Sequence, residues 1–258
     1  MEIKAAKILI TGANRGIGRA VAKRLAEDGA HLILAVRKDN PNLEDELKQR
    51  GAASVTTVSC NLSSRQGVRD LIGKVEPMKV DILFNNAGLI GGGLLETQSA
   101  DEIYEILQVN VNALVQLTQG LLPGMLKRGR GKVINQGSVL GVMPMPSYSV
   151  YCASKAAVIA FTHSLKQELK GTNVTTLTLV TPGVKTDLFD SMEAIHGQNM
   201  KLPKSALTVD RYAEMIREAI VADLEVLNPS GMMGSLLHVV RHLPSVWDKA
   251  ISFRFKRS

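Results

Sequence analysis

The stretch Lys7-Ile8-Leu9-Ile10-Thr11-Gly12-Ala13-Asn14-Arg15-Gly16-Ile17-Gly18 decides the fold. Lys7 to Thr11 is a short β-rich run, apolar without period-two alternation, which suits a strand covered on both faces. A helical pattern follows from Ile17 to Asp28 and is closed by Gly29. The glycines between them let the chain turn tightly and let a pyrophosphate approach the backbone, while the helix N-terminus points its free amides at phosphate oxygens. Gly12, Asn14, Arg15, Gly16, Ile17 and Gly18 are therefore candidate cofactor contacts. Such a turn also occurs where two elements merely pack closely. Its spacing is G-x-x-x-G-x-G rather than G-x-G-x-x-G, and Lys4 and Lys7 follow no Walker pattern, which excludes a P-loop.

The same alternation continues outward. Further strands are predicted at His31 to Val36, Ser54 to Ser59, Val80 to Phe84, Lys132 to Gln136, Val174 to Thr181 and Leu224 to Leu227. Helical patterns lie between them: Leu43 to Arg50 closed by Gly51, a long one after Ser99, and one from about Ser149 to Lys170 closed by Gly171. Ser99-Ala100-Asp101-Glu102 is a capping box that opens the long one. This pattern predicts a single α/β domain, a doubly wound parallel sheet of about seven strands flanked by helices, with right-handed crossovers. Ligands in such sheets bind beyond the carboxyl ends of the strands. The domain is placed at residues 1–234, with a substrate lid at 187–205, and a basic amphipathic extension at 235–258.

A chain of 258 residues is long enough for one such domain with a substantial core. No stretch approaches the roughly 18 consecutive apolar residues of a membrane span. Met1-Glu2-Ile3-Lys4 runs into the first strand without a signal-peptide apolar region, so a cytoplasmic location is expected. Cys60 and Cys152 lie far apart and the histidines are scattered, so neither a disulfide framework nor a metal is expected. Net charge is +7, and the tail concentrates it: Arg241, Lys249, Arg254, Lys256 and Arg257 stand against Asp248. With 4% aromatic residues and no recognisable nucleic-acid-binding motif, nucleic acid is not an expected partner.

Tyr151-Cys152-Ala153-Ser154-Lys155 puts an ammonium beside a phenol, four residues apart on one helix. A free phenol has a pKa of about 10, and a nearby cation favours the phenolate, so the pair can exchange a proton with a carbonyl or carbinol oxygen. Taken alone, Y-x-x-x-K is a common chance pairing; the neighbouring Tyr148 has Cys152 four residues on. Together with Thr11 to Gly18, Asn85-Asn86-Ala87-Gly88 after the fourth strand, Asn110 and Ser138, however, it forms an ordered set. In that set the chain resembles the short-chain dehydrogenase/reductase family, in its short single-domain form, from Lys7 to about Asp187.

The resemblance implies a Rossmann-type fold and an oxidoreductase. It implies that Asn86, Ala87 and Gly88 stabilise the sheet and line the adenosine side of the cofactor, that Asn110 holds a water in a proton relay, and that Ser138 hydrogen-bonds the substrate oxygen. Tyr151 would be the general acid in reduction. Lys155 would bind the nicotinamide ribose and lower the Tyr151 pKa, so that Tyr151 and Lys155 also count as cofactor contacts. Pairing through the helices after Ser99 and Ser149, as a homodimer or homotetramer, is implied in the same way. The residues themselves agree on placement, because Ser138 follows the fifth strand and its hydroxyl falls at the carboxyl edge where Tyr151 arrives on the next helix.

Charge argues for the choice of dinucleotide. A carboxylate at the end of the second strand would bond the ribose 2′-hydroxyl of NAD and repel a 2′-phosphate. That place reads Ala35-Val36-Arg37-Lys38, with Asp39 the only competing carboxylate. Arg37 can clamp a phosphate through its planar fork and Arg15 can approach from the other side, so NADP(H) is expected. Solvated surface cations are the bland alternative. The chain departs from the family pattern twice. Cys60-Asn61-Leu62 carries Asn where many relatives have Asp, so Asn61 and Leu62 would meet the adenine through an amide. Pro182-Gly183-Val184-Lys185-Thr186 is one residue shorter than P-G-x-V/I-x-T: Pro182, Gly183 and Val184 are expected beside the nicotinamide ring, and the shortening bears on whether Thr186 reaches its carboxamide.

Leu188, Phe189, Met192, Ile195, Met200 and Leu202 in the lid suggest apolar cover for a lipophilic carbonyl or alcohol, as do Met143, Pro144 and Met145 after the serine. A surface loop with no selectivity role is the alternative for the lid. The leading expectation is an NADP(H)-dependent oxidoreductase interconverting a carbonyl and a primary or secondary alcohol. A 3-oxoacyl thioester (acyl-carrier-protein) reductase competes within that class, and a non-catalytic NADP(H)-binding sensor or scaffold outside it. In the tail, Pro244 divides any helix into two short amphipathic pieces. Packing against its own domain or a second subunit is favoured there over contact with a membrane surface.

Overall fold

Strand residues without polar alternation must be covered on both sides, and alternate positions here feed two separate cores. In β1 (Lys7–Thr11) Ile8 and Ile10 enter one core and Leu9 the other. In β2 (His31–Val36) Leu32 and Leu34 are set against Ile33 and Ala35 in the same way. The computed structural model describes residues 1–189, 206–253 and 255. With β3 (Ser54–Ser59), β4 (Ile82–Asn85), β5 (Gly131–Gln136), β6 (Val174–Leu179) and β7 (Val226–Leu227), these strands form a 7-stranded parallel sheet in the order β3-β2-β1-β4-β5-β6-β7.

One face is covered by α1 (Gly16–Glu27), α2 (Pro41–Gln49) and α7 (Val209–Val221), through Val21, Leu25, Leu43, Tyr212 and Ile216. The opposite face takes α3 (Arg65–Val75), α5 (Ala113–Arg128) and the end of α6 (Ser149–Glu168), through Leu71, Leu117, Leu121 and Leu165. The strand order reverses between β1 and β4, where Ile8, Leu9 and Ile10 stand in register with Ile82, Leu83 and Phe84. A crevice at the carboxyl ends of those two strands is where a ligand of such a sheet binds.

The long helix predicted after Ser99 is α4 (Ala100–Leu107) running through a π turn at Gln108–Asn112 into α5. At its start the Glu102 amide donates to Ser99 Oγ at 3.1 Å, the serine half of the capping box. Strand ends differ from the reading by a residue or two, as hydrogen-bond-defined edges do. Neither α3 nor α7 was among the predicted helices. In α3, Gly67 and Gly73 dilute helix propensity around the Val68, Leu71, Val75 stripe. In α7, which buries Tyr212, Ile216 and Ile220, Ala222 rather than a glycine stands at the end.

The extension forms α8 (Gly231–His242) and α9 (Pro244–Ser252), divided at Pro244. Leu237 and Val240 are buried with Met143 and Val180, and Trp247 Nε1 donates to the Pro144 carbonyl at 2.7 Å, so this segment rests on its own domain. Of the lid placed at 187–205, Asp187, Leu188 and Phe189 are described; Met192, Ile195, Met200 and Leu202 lie outside the described residues, as do Arg254, Lys256 and Arg257 of the tail. Among the described residues no helix is long and apolar enough to cross a membrane. No group of three or more His, Cys, Asp or Glu among them could hold a metal, and Cys60 and Cys152 are free thiols.

Candidate active site

Thr11, the last residue of β1, joins the glycine turn to the loop after β4. Its Oγ1 accepts the amides of Asn86 and Ala87, each at 3.0 Å, and Asn86 Nδ2 donates to the Thr11 carbonyl at 2.8 Å. The two chains come so close that side chains are excluded. A Cβ on Gly18 would stand 2.5 Å from Asn86 Nδ2 and 2.6 Å from the Gly12 carbonyl, and one on Gly12 would stand 3.0 Å from Ala87 Cα. Gly16 holds φ +55°, a left-handed conformation that favours glycine. Helix α1 begins there with no side-chain cap and no acidic residue in its first turn, which leaves its N-terminal amides for an anion.

Asn14 Nδ2 donates to the Lys38 carbonyl at 2.6 Å, which draws the segment carrying the exposed Arg37 against this turn. Asn14 Oδ1 is buried with no partner among the described residues, an acceptor suited to a ribose hydroxyl. Arg15 is exposed and pairs with Asp187 at 3.2 Å. Asn61 is exposed; its Oδ1 accepts the Ser63 amide at 3.0 Å, while Leu62 is buried and its carbonyl accepts Gln108 Nε2 at 3.2 Å. A side-chain-free cradle, unpaired amides, a spare acceptor and two arginines fit a phosphorylated dinucleotide.

The second half of the site lies at the end of β5. Ser138 Oγ accepts the Leu140 amide at 3.1 Å, which opens a tight turn at Val139–Gly141, and the Tyr151 phenol is hydrogen-bonded to the Ser138 side chain. Both residues are buried. Lys155, one turn further along α6, donates from Nζ to the Gln136 carbonyl at 2.8 Å and stands 5.6 Å from the centre of the Tyr151 ring. Asn110 sits in the π turn, a local widening that re-aims side chains. Its Oδ1 accepts the Leu89 amide at 2.8 Å, and its Nδ2 donates to the Leu89 carbonyl at 2.9 Å and to Ser154 Oγ at 3.0 Å. Gly88 lies between the halves: a Cβ there would be 3.4 Å from Asn110 Oδ1 and 3.5 Å from Lys155 Nζ. Asn86 to Gly88, Asn110, Ser138, Tyr151 and Lys155 thus converge on one edge of the sheet.

The net shift of the Tyr151 phenol is upward, where the resemblance implies a lowering by Lys155. Burial is the largest influence on both groups. It pushes the phenol up, opposed by the hydrogen bond from Ser138, and pushes the ammonium down to about 8. Desolvation outweighs what opposes it at the phenol, while Lys155 Nζ is held by the Gln136 carbonyl, 5.6 Å from the centre of the ring.

Residues 6–196 match the family described as short chain dehydrogenase. The chain belongs to the short-chain dehydrogenase family. Among curated relatives, the 3-oxoacyl-(acyl-carrier-protein) reductase of Vibrio cholerae serotype O1 is 34% identical over 193 residues, 73% of this chain and 77% of that protein. A short-chain dehydrogenase from Sphingobium yanoikuyae, solved in complex with NADPH, has the same fold, with a TM-score of 0.82 over 98% of this chain and 97% of that one at 22% identity. The 3-oxoacyl (acyl-carrier-protein) reductase of Agrobacterium tumefaciens C58, solved with NADP bound, gives a TM-score of 0.74 at 27% identity, covering 82% of this chain and 86% of that one.

Within this short-chain dehydrogenase, the run after β6 is held by pairing rather than by the sheet. The Leu207 amide donates to the Gly183 carbonyl and the Lys185 amide to the Leu207 carbonyl, both at 2.9 Å, and Val184 between them is buried beyond Pro182. Thr186 is brought to the glycine turn, its methyl 3.5 Å from where a Gly16 Cβ would be, and its Oγ1 accepts the Phe189 amide at 3.2 Å.

Several site residues had not been singled out. Gln136 receives Lys155 on its carbonyl, and its Nε2 donates to Thr181 Oγ1 at 2.8 Å, which in turn pairs with the Tyr212 hydroxyl at 2.8 Å. Ser154 links Asn110 to the Tyr151 carbonyl, donating at 2.7 Å. The available signal was Asn135-Gln136, two polar residues closing a strand buried throughout. A groove of about 650 Å³ also opens nearby, walled by Pro144, Met145, Cys152, Trp247 and Ile251. It is not the seat of the chemistry: Ala153 and Ala156 line it, while Tyr151 and Lys155 occupy another face of the same helix.

Proposed function

We propose that this chain is an NADP(H)-dependent oxidoreductase that interconverts a carbonyl and a primary or secondary alcohol, with Tyr151 as general acid and base. One observation carries the reading: a buried Tyr151 phenol hydrogen-bonded to Ser138 at the carboxyl end of β5, with Lys155 behind it. Burial keeps the phenol protonated at neutral pH, the state an acid needs. The Ser138 and Tyr151 hydroxyls together address one oxygen. As negative charge grows there in reduction, Ser138 stabilises it and Tyr151 transfers its proton to it. The Lys155 ammonium then stabilises the phenolate left behind.

NADPH, when bound, supplies the hydride. The residues that would hold it are Gly12, Asn14, Arg15, Gly16, Ile17 and Gly18 at the turn, Arg37 at the 2′-phosphate, Asn61 and Leu62 at the adenine, and Asn86, Ala87 and Gly88 along the adenosine. Pro182, Gly183, Val184, Tyr151 and Lys155 would meet the nicotinamide end, with Thr186 over the glycine turn. The NADP-bound Agrobacterium protein supports this choice. Leu188, Phe189, Met143 and Met145 support a lipophilic substrate. The Vibrio relative favours a second reading, a 3-oxoacyl thioester. A homodimer or homotetramer would form through the helices after Ser99 and Ser149, and exposed Tyr104, Leu107 and Leu126 on α4 and α5 support the first of those surfaces.

The test is NADPH oxidation across 3-oxoacyl thioesters, aliphatic and aromatic aldehydes and steroid ketones, with Tyr151→Phe alongside. The variant is expected to lose at least about a hundredfold in kcat, the usual share of a general acid. Undiminished turnover in Tyr151→Phe would reject the mechanism, and NADPH binding without turnover on any class would favour the sensor.

A further inference from the structure

The two tail helices carry apolar side chains on two sides, and folding uses only one of them. Leu237, Val240 and Trp247 turn inward to Met143, Val180 and Pro144. Met232, Val239 and Leu243 recur at i, i+7 and i+11, a stripe along one side of α8, and Val246 and Phe253 repeat at i and i+7 along α9. All five are exposed: Met232 by 89%, Phe253 by 88% and Leu243 by 57%. Arg241 and Lys249 are exposed among them, and Arg254, Lys256 and Arg257 follow in the sequence, against the single acid Asp248.

We propose that this outer side docks the protein on an anionic phospholipid bilayer. Met232, Leu243 and Phe253 enter the boundary between headgroups and acyl chains, and Arg241 and Lys249 meet the headgroup phosphates. A second copy of the chain is the poorer occupant, because a two-fold interface sets each patch against itself and would oppose two clusters of like charge. An anionic surface is complementary to both features. The docked segment walls the groove beside α6 and is bonded to Pro144 in the loop that follows Ser138.

Full-length protein is sedimented with vesicles of phosphatidylcholine alone and of phosphatidylcholine mixed with phosphatidylglycerol. Binding to the mixed vesicles, weakened by added salt, is expected. Phe253→Glu combined with Met232→Glu should reduce it by at least about tenfold, the effect of withholding a large apolar side chain from burial. Both positions are exposed, so the thermal transition should not move, and Leu95→Glu, on the loop between β4 and α4, serves as the charge control. No binding to mixed vesicles at low salt would overturn the proposal, as would an equal loss in Leu95→Glu. Unchanged vesicle binding together with a smaller oligomer in the double variant would also overturn it and assign the surface to a second copy.

Discussion

Lys155 is fully buried yet hydrogen-bonded to a carbonyl, and burial brings its ammonium from 10.5 down to about 8. The charge that stabilises a Tyr151 phenolate is therefore present at neutral pH and disappears as pH rises through about 8. Turnover in the reductive direction should fall across that range in a pH profile of kcat, and Lys155→Met should give a low, flat profile. Stability moves the other way. Between about 8 and about 10.4 the unfolded chain holds this proton and the folded one does not, so the contribution of Lys155 makes stability rise with pH there, which thermal melts across the window would show. Arg37 is exposed beside the glycine turn. Arg37→Asp should reverse the preference for NADPH over NADH, changing the ratio of kcat/KM values by about tenfold to a hundredfold, the range of a charge-assisted hydrogen bond. The identities of Tyr151, Lys155, Ser138 and Arg37 were legible from residue type and spacing. The upward shift of Tyr151 was not, since desolvation depends on what the rest of the fold stacks around a group.

At the scale of elements, the approach of α1 to the loop after β4 sets the site's dimensions. Gly18→Ala would place a methyl 2.5 Å from Asn86 Nδ2 and 2.6 Å from the Gly12 carbonyl. Asn86 is itself fixed by its bond to Thr11, so the clash cannot relax cheaply. Calorimetry should show a loss of about 1 to 3 kcal/mol from overpacking, and NADPH affinity should fall with it. Helices closed by glycine or opened by a capping box were readable because those residues act locally. The π turn was not, because widening one turn at Asn110 follows from the tertiary bonds of its carboxamide to Leu89 and Ser154. Helices α3 and α7 lack that local signal, since Glu76 and Ala222 rather than glycines stand at their ends.

Across the whole molecule, β-α alternation was enough to give a parallel sheet with two buried faces, while the strand order came from pairings far apart in the chain. The position of the extension was likewise set by a distant partner. Trp247→Phe removes the donor to the Pro144 carbonyl and should cost about 1 kcal/mol, visible as a lowered Tm. Because Pro144 belongs to the loop after Ser138, KM should rise more than kcat falls. The bonds that assemble the cofactor side also have a kinetic meaning. Thr11 meets Asn86 across 75 residues and Arg15 meets Asp187 across 172. A growing chain that has released β1 and its glycine turn from the ribosome therefore lacks the cradle until β4 has followed it out, and lacks the Arg15–Asp187 closure until β6 and the run beyond it have followed too. Nucleotide capture becomes a late reporter of folding, silent for every shorter intermediate.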